Sequence, residues 1–327
     1  MTLFGRRVPV WATLFPLVLA VAAYWGYWGH KRDQFRAELE SVLGPMPVTF
    51  GGFPYRLQAD LGRASLTRER TGSIVRLSAD RMTIDRQPWT PSLSVVGAKE
   101  PRLLAALTGI GGARLDVEAP RGRASLNSAY GRLDRLSAEF EGARLWLALV
   151  PAMGRADHLE LHIRETPIAP IATPHGPTFP TQAELIARST GLRLDDGAPL
   201  TMEVSLAATA PAPLRSVKGW ADQGGTVELR RLTLADAHGT VLDMRATAVP
   251  LPNGRLEVNG VLTTDCPRTV LAAFARERSP GVEYRARTLI RIPFGGVVGS
   301  IAPTVDAAGL PQFTVRAQEA PCPVLRR

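Results

Sequence analysis

Between Thr226 and Leu262 apolar residues occupy every second position through three or four successive segments, TVELRRLTLADAHGTVLDMRATAVPLPNGRLEVNGVL. A period of two sends alternate side chains to opposite faces of a strand, which commits the region to β-structure with one apolar and one polar face. Leu242, Met244, Ala246 and Ala248 share one face, and Leu256, Val258, Gly260 and Leu262 share the next. Pro252-Asn253-Gly254 supplies a tight turn, because Asn-Gly accepts the positive φ a hairpin needs. Arg230-Arg231 breaks the phase between Val227-Leu229 and Leu232-Leu234, as a β-bulge does. The same alternation returns at Val48 and Phe50, Tyr55 to Leu61, Val75 to Ala79, Leu115 and Val117, Leu145 to Leu149, and Leu159 to Ile163, mostly with Gly or Pro between. The expected class is mainly β (α+β), with antiparallel, curled sheet meanders after an N-terminal membrane helix.

Three short helices are expected to interrupt the strands. Pro101 to Leu107 is the first; Thr181 to Thr190 is the second, on the capping-box spacing of Thr181 and Glu184 with Gly191 at the stop. Pro267 to Arg278 is the third, with Val270, Leu271, Phe274 and Ala275 forming an apolar stripe. Residues 166–180 carry five prolines and read as a linker between an N-terminal β unit, 46–165, and a C-terminal one, 181–327.

Val8 to Gly29 holds no charged residue and lies between Arg6-Arg7 and His30-Lys31-Arg32. At about 1.5 Å per residue such a helix covers a hydrocarbon core of roughly 30 Å. Tyr24, Trp25, Tyr27 and Trp28 form the aromatic belt of a membrane interface. The expectation is a tail and anchor over 1–32 with the N-terminus inside, and an amphipathic stalk over 33–45 ended by Gly44-Pro45. The alternative is a signal peptide cut near Ala20-Val21-Ala22. Both imply export, and the first places a single-pass protein in the cell inner membrane with its bulk in the periplasm.

A net charge of +9 and a pI near 10.3 invite a nucleic-acid reading. The distribution opposes it: Lys occurs only at 31, 99 and 218, and the arginines are scattered along alternating segments instead of forming a patch. Weak attraction to anionic lipid headgroups is the more physical consequence. Two cysteines, Cys266 and Cys322, each precede a proline. In an oxidising compartment they are candidates for a disulfide; two unpaired thiols are the alternative.

The chain offers little chemistry. His158, Glu160 and His162 alternate on one strand face, a metal-like trio that a solvated polar face explains as well, so no metal site is expected. Gly-x-Ser-x-Gly is absent, Gly109-Ile110-Gly111-Gly112 lacks the Lys-Ser/Thr of a phosphate loop, and Asp195-Asp196 sits in a turn. No catalytic residue, no cofactor and no enzymatic activity are expected.

Gly52-Phe53-Pro54-Tyr55-Arg56 after an anchor and stalk, the run from Arg81 to Trp89, and the later series Leu232-Thr233-Leu234, Gly239, Gly254 and Gly260 resemble the uncharacterised bacterial family DUF2125 over most of the chain. The resemblance implies a periplasmic, inner-membrane-anchored protein of unknown activity and supplies no catalytic residues. Glycine-punctuated strands behind an anchor are also similar, in architecture, to the AsmA and TamB group, whose sheets form an apolar groove thought to conduct lipid. By that analogy the groove would be lined by Leu242, Met244, Ala246, Leu256, Val258 and Leu262, with Phe53 and Tyr55 near the membrane end. The expected partners are the inner membrane and a phospholipid or other envelope lipid. The alternative is a scaffold that recruits another envelope protein through a sheet edge or loops.

Overall fold

Nearly every strand of this protein pairs with the strand before it and the strand after it in the chain, which is what short turns between alternating segments produce. The computed structural model describes residues 2–326 apart from 4–5, 8–9, 46, 71, 108–112, 130–131, 148–151, 172–178, 211–216, 252, 276, 299 and 305–319. Two short strands, β1 (Thr2–Leu3) and β2 (Arg6–Arg7), pair with each other. Helix α1 (Val10–Leu43) runs without a break through both the expected anchor and the expected stalk. Among the described residues no helix is long and apolar enough to cross a membrane. In α1 the apolar run Leu14 to Ala23 gives way at Tyr24 to aromatic residues, Gly26, Gly29 and then His30-Lys31.

The sheet begins with β3 (Thr49–Gly51), β4 (Leu57–Arg70) and β5 (Ser73–Gln87). The next two rungs are each broken once. β6 (Thr90–Lys99) and β7 (Arg102–Leu107) lie end to end along β5, while β8 (Ala113–Glu118) and β9 (Arg121–Ala129) lie end to end along β10 (Arg132–Leu147). The breaks face one another at Pro101 and Pro120, which have no N–H to give a ladder. Each proline carbonyl still accepts a bond across the gap, from Glu100 N (2.9 Å) to Pro120 and from Ala119 N (3.1 Å) to Pro101. The meander continues through β11 (Ala152–Ile171), β12 (Phe179–Leu194), β13 (Leu200–Thr209), the short helix α2 (Val217–Asp222), β14 (Thr226–Asp236), β15 (Gly239–Pro250) and β16 (Leu256–Thr264). Helix α3 (Pro267–Ala275), β17 (Ile290–Val297) and β18 (Ala302–Pro303) complete it. Register slips occur at Gly62, between Ser189 and Leu192, and between Leu229 and Leu232; such bulges bend a strand and strengthen its twist. At the second of these Gly191 has a φ of +63°, and a Cβ there would lie 2.0 Å from the Asp157 carboxylate.

Two of the three expected helices are strands. Pro101 to Leu107 contains β7, whose Leu103 to Ala106 pair with β5 on one edge and β8 on the other. Thr181 to Thr190 lies in β12: Glu184 forms an ion pair with Arg230 (2.6 Å) instead of capping a helix, while Leu185 and Ala187 point to the apolar side. Pairing on two edges outweighs the modest helix preference of Ala, Leu and Glu. The third helix is α3. Residues 166–171 of the expected linker extend β11 and pair with the start of β12; residues 172–178 of that segment lie outside the described residues.

Two devices fasten the ends. At the first, Trp28 and Phe35 of α1 are buried against Leu57 and Ala59, and Arg86 stacks over the Phe35 ring (4.7 Å) while pairing with Glu38. At the other, Cys266 and Cys322 are joined in a disulfide with Cα atoms 5.7 Å apart. Beside it Arg285, 8% exposed, donates to Asp265 (2.7 Å), Asp236 (2.5 Å) and the Thr240 carbonyl (3.3 Å). Glu283 accepts from the free backbone N–H groups of Arg268 and Thr269 that open α3. The bridge spans 56 positions. Cys322→Ser is therefore expected to lower the free energy of unfolding by about 4 kcal/mol in the chain-entropy account, read by urea denaturation of oxidised parent and variant.

Candidate functional site: the apolar face of the sheet

Following partners from strand to strand, one row of side chains crosses thirteen strands without meeting a polar residue. It runs Phe50, Ala59, Ile84, Val96, Ala124, Ala138 and Leu161, then Ala187, Val204, Leu232, Met244, Leu262 and Ile292. At roughly 4.8 Å per strand the twelve steps extend about 58 Å along the sheet. A parallel row on one side includes Leu136, Ile163, Leu185, Leu206, Leu229 and Ala246, and on the other Phe140, Leu159, Met202, Leu234 and Leu242. The face is a broad apolar band.

The opposite face is charged. There the corresponding row reads Arg123, Glu139, Glu160, Arg188, Glu203, Thr233 and Asp243, with ion pairs Arg188–Glu203 and Arg231–Asp243, each 3.3 Å. The two faces differ because successive residues of every strand point opposite ways, so each bulge must occupy an extra residue to restore the phase.

What covers the apolar band changes along its length. α1 sits on its first strands, with Trp28 and Phe35 over Leu57 and Ala59 and with Phe50 and Ile84 beside them. At the far end Val270 and Leu271 of α3 join Leu242, Leu262, Ile292 and Phe294 in one buried cluster, and Phe274 lies 5.7 Å from the Phe294 ring. Trp220 of α2, its indole N–H given to the Thr209 carbonyl (2.8 Å), buries Leu256. Between these caps Ala124, Leu161, Val204, Leu206, Leu229, Leu232, Met244 and Ala246 are half-buried, and Leu126 is exposed. Among the described residues no second sheet lies over them; the sixteen strands form one hydrogen-bonded sheet.

The expected groove residues therefore divide. Leu242, Leu256 and Leu262 lie on the apolar face but are sealed beneath caps, while Met244, Ala246 and Val258 are half-buried on the same face. Phe53 and Tyr55 lie off the band altogether: Phe53 stacks edge-on with Trp28 (5.4 Å) and Tyr55 is 75% exposed in the turn before β4. The open centre, Val204 and Leu206 of β13 with Leu229 and Leu232 of β14, was not among the sequence candidates. Its signal was present in LTMEVSLAAT, where Met202, Val204 and Leu206 alternate with polar or small residues.

His158, Glu160 and His162 do share the polar face. His158 Nε2 lies 3.1 Å from one Glu160 oxygen, His162 Nε2 lies 3.5 Å from the other, and His162 Nδ1 meets Ser137 Oγ at 3.0 Å. Among the described residues no group of His, Cys, Asp and Glu could hold a metal ion. Hydrogen bonds from His158 and then His162 hold the Glu160 carboxyl below its ordinary value. A carboxyl depressed in the folded state contributes stability above its unfolded pKa and loses it as the pH falls through the folded one. His158→Ala is expected to move the Glu160 titration upward, towards the ordinary range, as measured by carboxyl NMR of the labelled side chain.

No curated protein and no solved structure matches the chain, so the architectural likeness to the AsmA and TamB group has no counterpart among these comparisons. The family model described as an uncharacterized protein conserved in bacteria, DUF2125, matches residues 46–278, from the strand that first meets α1 to the helix that closes the apolar band. By that match over most of its length, the chain belongs to the DUF2125 family.

Proposed function

We propose that this protein is held in the cell inner membrane by α1, carries its sheet in the periplasm, and binds lipid acyl chains along the open centre of the apolar band without performing catalysis. The observation that carries the reading is the unbroken apolar row with half-buried residues at its centre and helices at both ends. An acyl chain laid on such a face gains about 0.8 kcal/mol for each CH₂ removed from water, with no need of a polar specificity group. Membrane residence is supported by Leu14, Phe15, Leu17, Val18, Leu19 and Val21, which are 53–61% exposed although large and apolar. The helix from Val10 to Trp28 is about 28 Å long at its ordinary rise. The disulfide suits an oxidising compartment such as the periplasm.

Photo-cross-linking in native membranes tests the reading. p-Benzoylphenylalanine is placed in the full chain at Leu232, on the apolar face, or at the adjacent Thr233, on the polar one. Adducts of lipid mass are expected from position 232 and not from 233. No lipid adduct at 232 in a protein whose circular dichroism is unchanged, or equal labelling of both faces, overturns it; a protein adduct at 232 turns the face into a docking surface for another envelope protein.

A further inference from the structure

Large exposed aromatic side chains are few among the described residues, and Phe15 and Tyr284 aside they gather in one place: Trp25 (66% exposed), Tyr27 (41%), Phe53 (48%), Tyr55 (75%) and Trp89 (55%). The first two belong to α1. The others belong to two turns, the one between β3 and β4 and the one between β5 and β6. All three segments are held at a common level by hydrogen bonds from the helix. Tyr24 Oη donates to the Pro54 carbonyl (2.5 Å), Tyr27 Oη to the Pro88 carbonyl (3.2 Å) and Trp28 Nε1 to the Arg56 carbonyl (3.2 Å), while Phe53 packs on Tyr24 and Trp28. Arg32, Lys31 and Arg56 stand at the same level, and the Arg56 side chain is 56% exposed.

The geometry points to a membrane-seated foot: the turns at Phe53–Tyr55 and Pro88–Trp89 rest in the headgroup layer of the same bilayer that α1 enters, so that the first strands of the sheet stand on the membrane surface. This rests on the anchoring read above from the exposed apolar stretch Leu14 to Val21, which continues directly into the aromatic level. Aromatic rings with one polar edge favour the interfacial zone, and cations at the same height match lipid phosphates. Water would leave Tyr55 and Trp89 exposed without packing; the interface supplies a partner to both. Two turns fixed to the helix by its own Tyr and Trp side chains also set the tilt of the sheet, which a helix alone leaves free to swivel. The β3–β5 end of the apolar band then begins within reach of lipid tails.

The test uses the full chain, oxidised so that Cys266 and Cys322 stay paired, in vesicles of phosphatidylcholine with phosphatidylglycerol. An environment-sensitive nitrobenzoxadiazole label is placed singly through Tyr55→Cys, Trp89→Cys, Leu19→Cys and, at the opposite end of the strands, His238→Cys. Emission from positions 55 and 89 is expected to shift to the blue and to be quenched more by a spin label near the headgroup than by one near the chain end. Position 19 should show the reverse order, and position 238 should remain water-like. Embedded emission at 19 with water-like emission at 55 and 89 overturns the foot and leaves the anchor standing. Water-like emission at 19 overturns the anchor and the foot with it.

Discussion

A β-sheet of one layer has two faces, and water can satisfy only one of them when the other is apolar. That asymmetry is the constraint on which this structure depends. Nearly every strand settles its backbone hydrogen bonds with its neighbours in the chain, which keeps the topology simple but leaves a band about 58 Å long needing cover. A sandwich would solve the problem with a second sheet. Here the cover comes from helices set at the ends, α1 over the first strands and α3 with α2 over the last, and the middle is left half open.

The two caps use different physics. α1 is bound by aromatic stacking, by hydrogen bonds from Tyr24, Tyr27 and Trp28 to turn carbonyls, and by Arg86 lying between Phe35 and Glu38. α3 is tied covalently through Cys266, the residue before its first turn, and its first N–H groups are closed by Glu283 from a segment beyond it. Arg285 supports that region from a buried position between two aspartates. Desolvation offsets much of the attraction in such buried pairs.

Local patterns told most about the fold. The turn at Asn253-Gly254 leaves Gly254 at a φ of +77°, and the phase break at Arg230-Arg231 is a register slip on both neighbouring ladders. α3 was legible from its proline start and apolar stripe. β7 and β12 were not, since PRLLAAL and TQAELIARST are rich in residues that favour a helix when considered alone, and only the adjoining strands decide against it. The candidate site was legible in kind but not in place. Alternation gave the apolar faces of β15 and β16, yet which of their residues stay accessible depends on where α2 and α3 settle. The positions of Phe53 and Tyr55 depend on contacts with α1 formed across about 30 residues of chain, which no short period encodes.

The nearest-neighbour pairing has a mechanical consequence. In a meander each rung is braced mainly by the rung on either side, so the molecule behaves like a one-dimensional array in which cooperativity must be passed along by contact. Loss of one interior rung would divide the array into two pieces with fresh edges, whereas loss of a terminal rung would merely shorten it. Fraying from the ends is then the cheapest excursion open to such a chain. The first and last rungs, β3 and β18, are only three and two residues long, and the two fastened helices stand next to them like clasps at the ends of a strip.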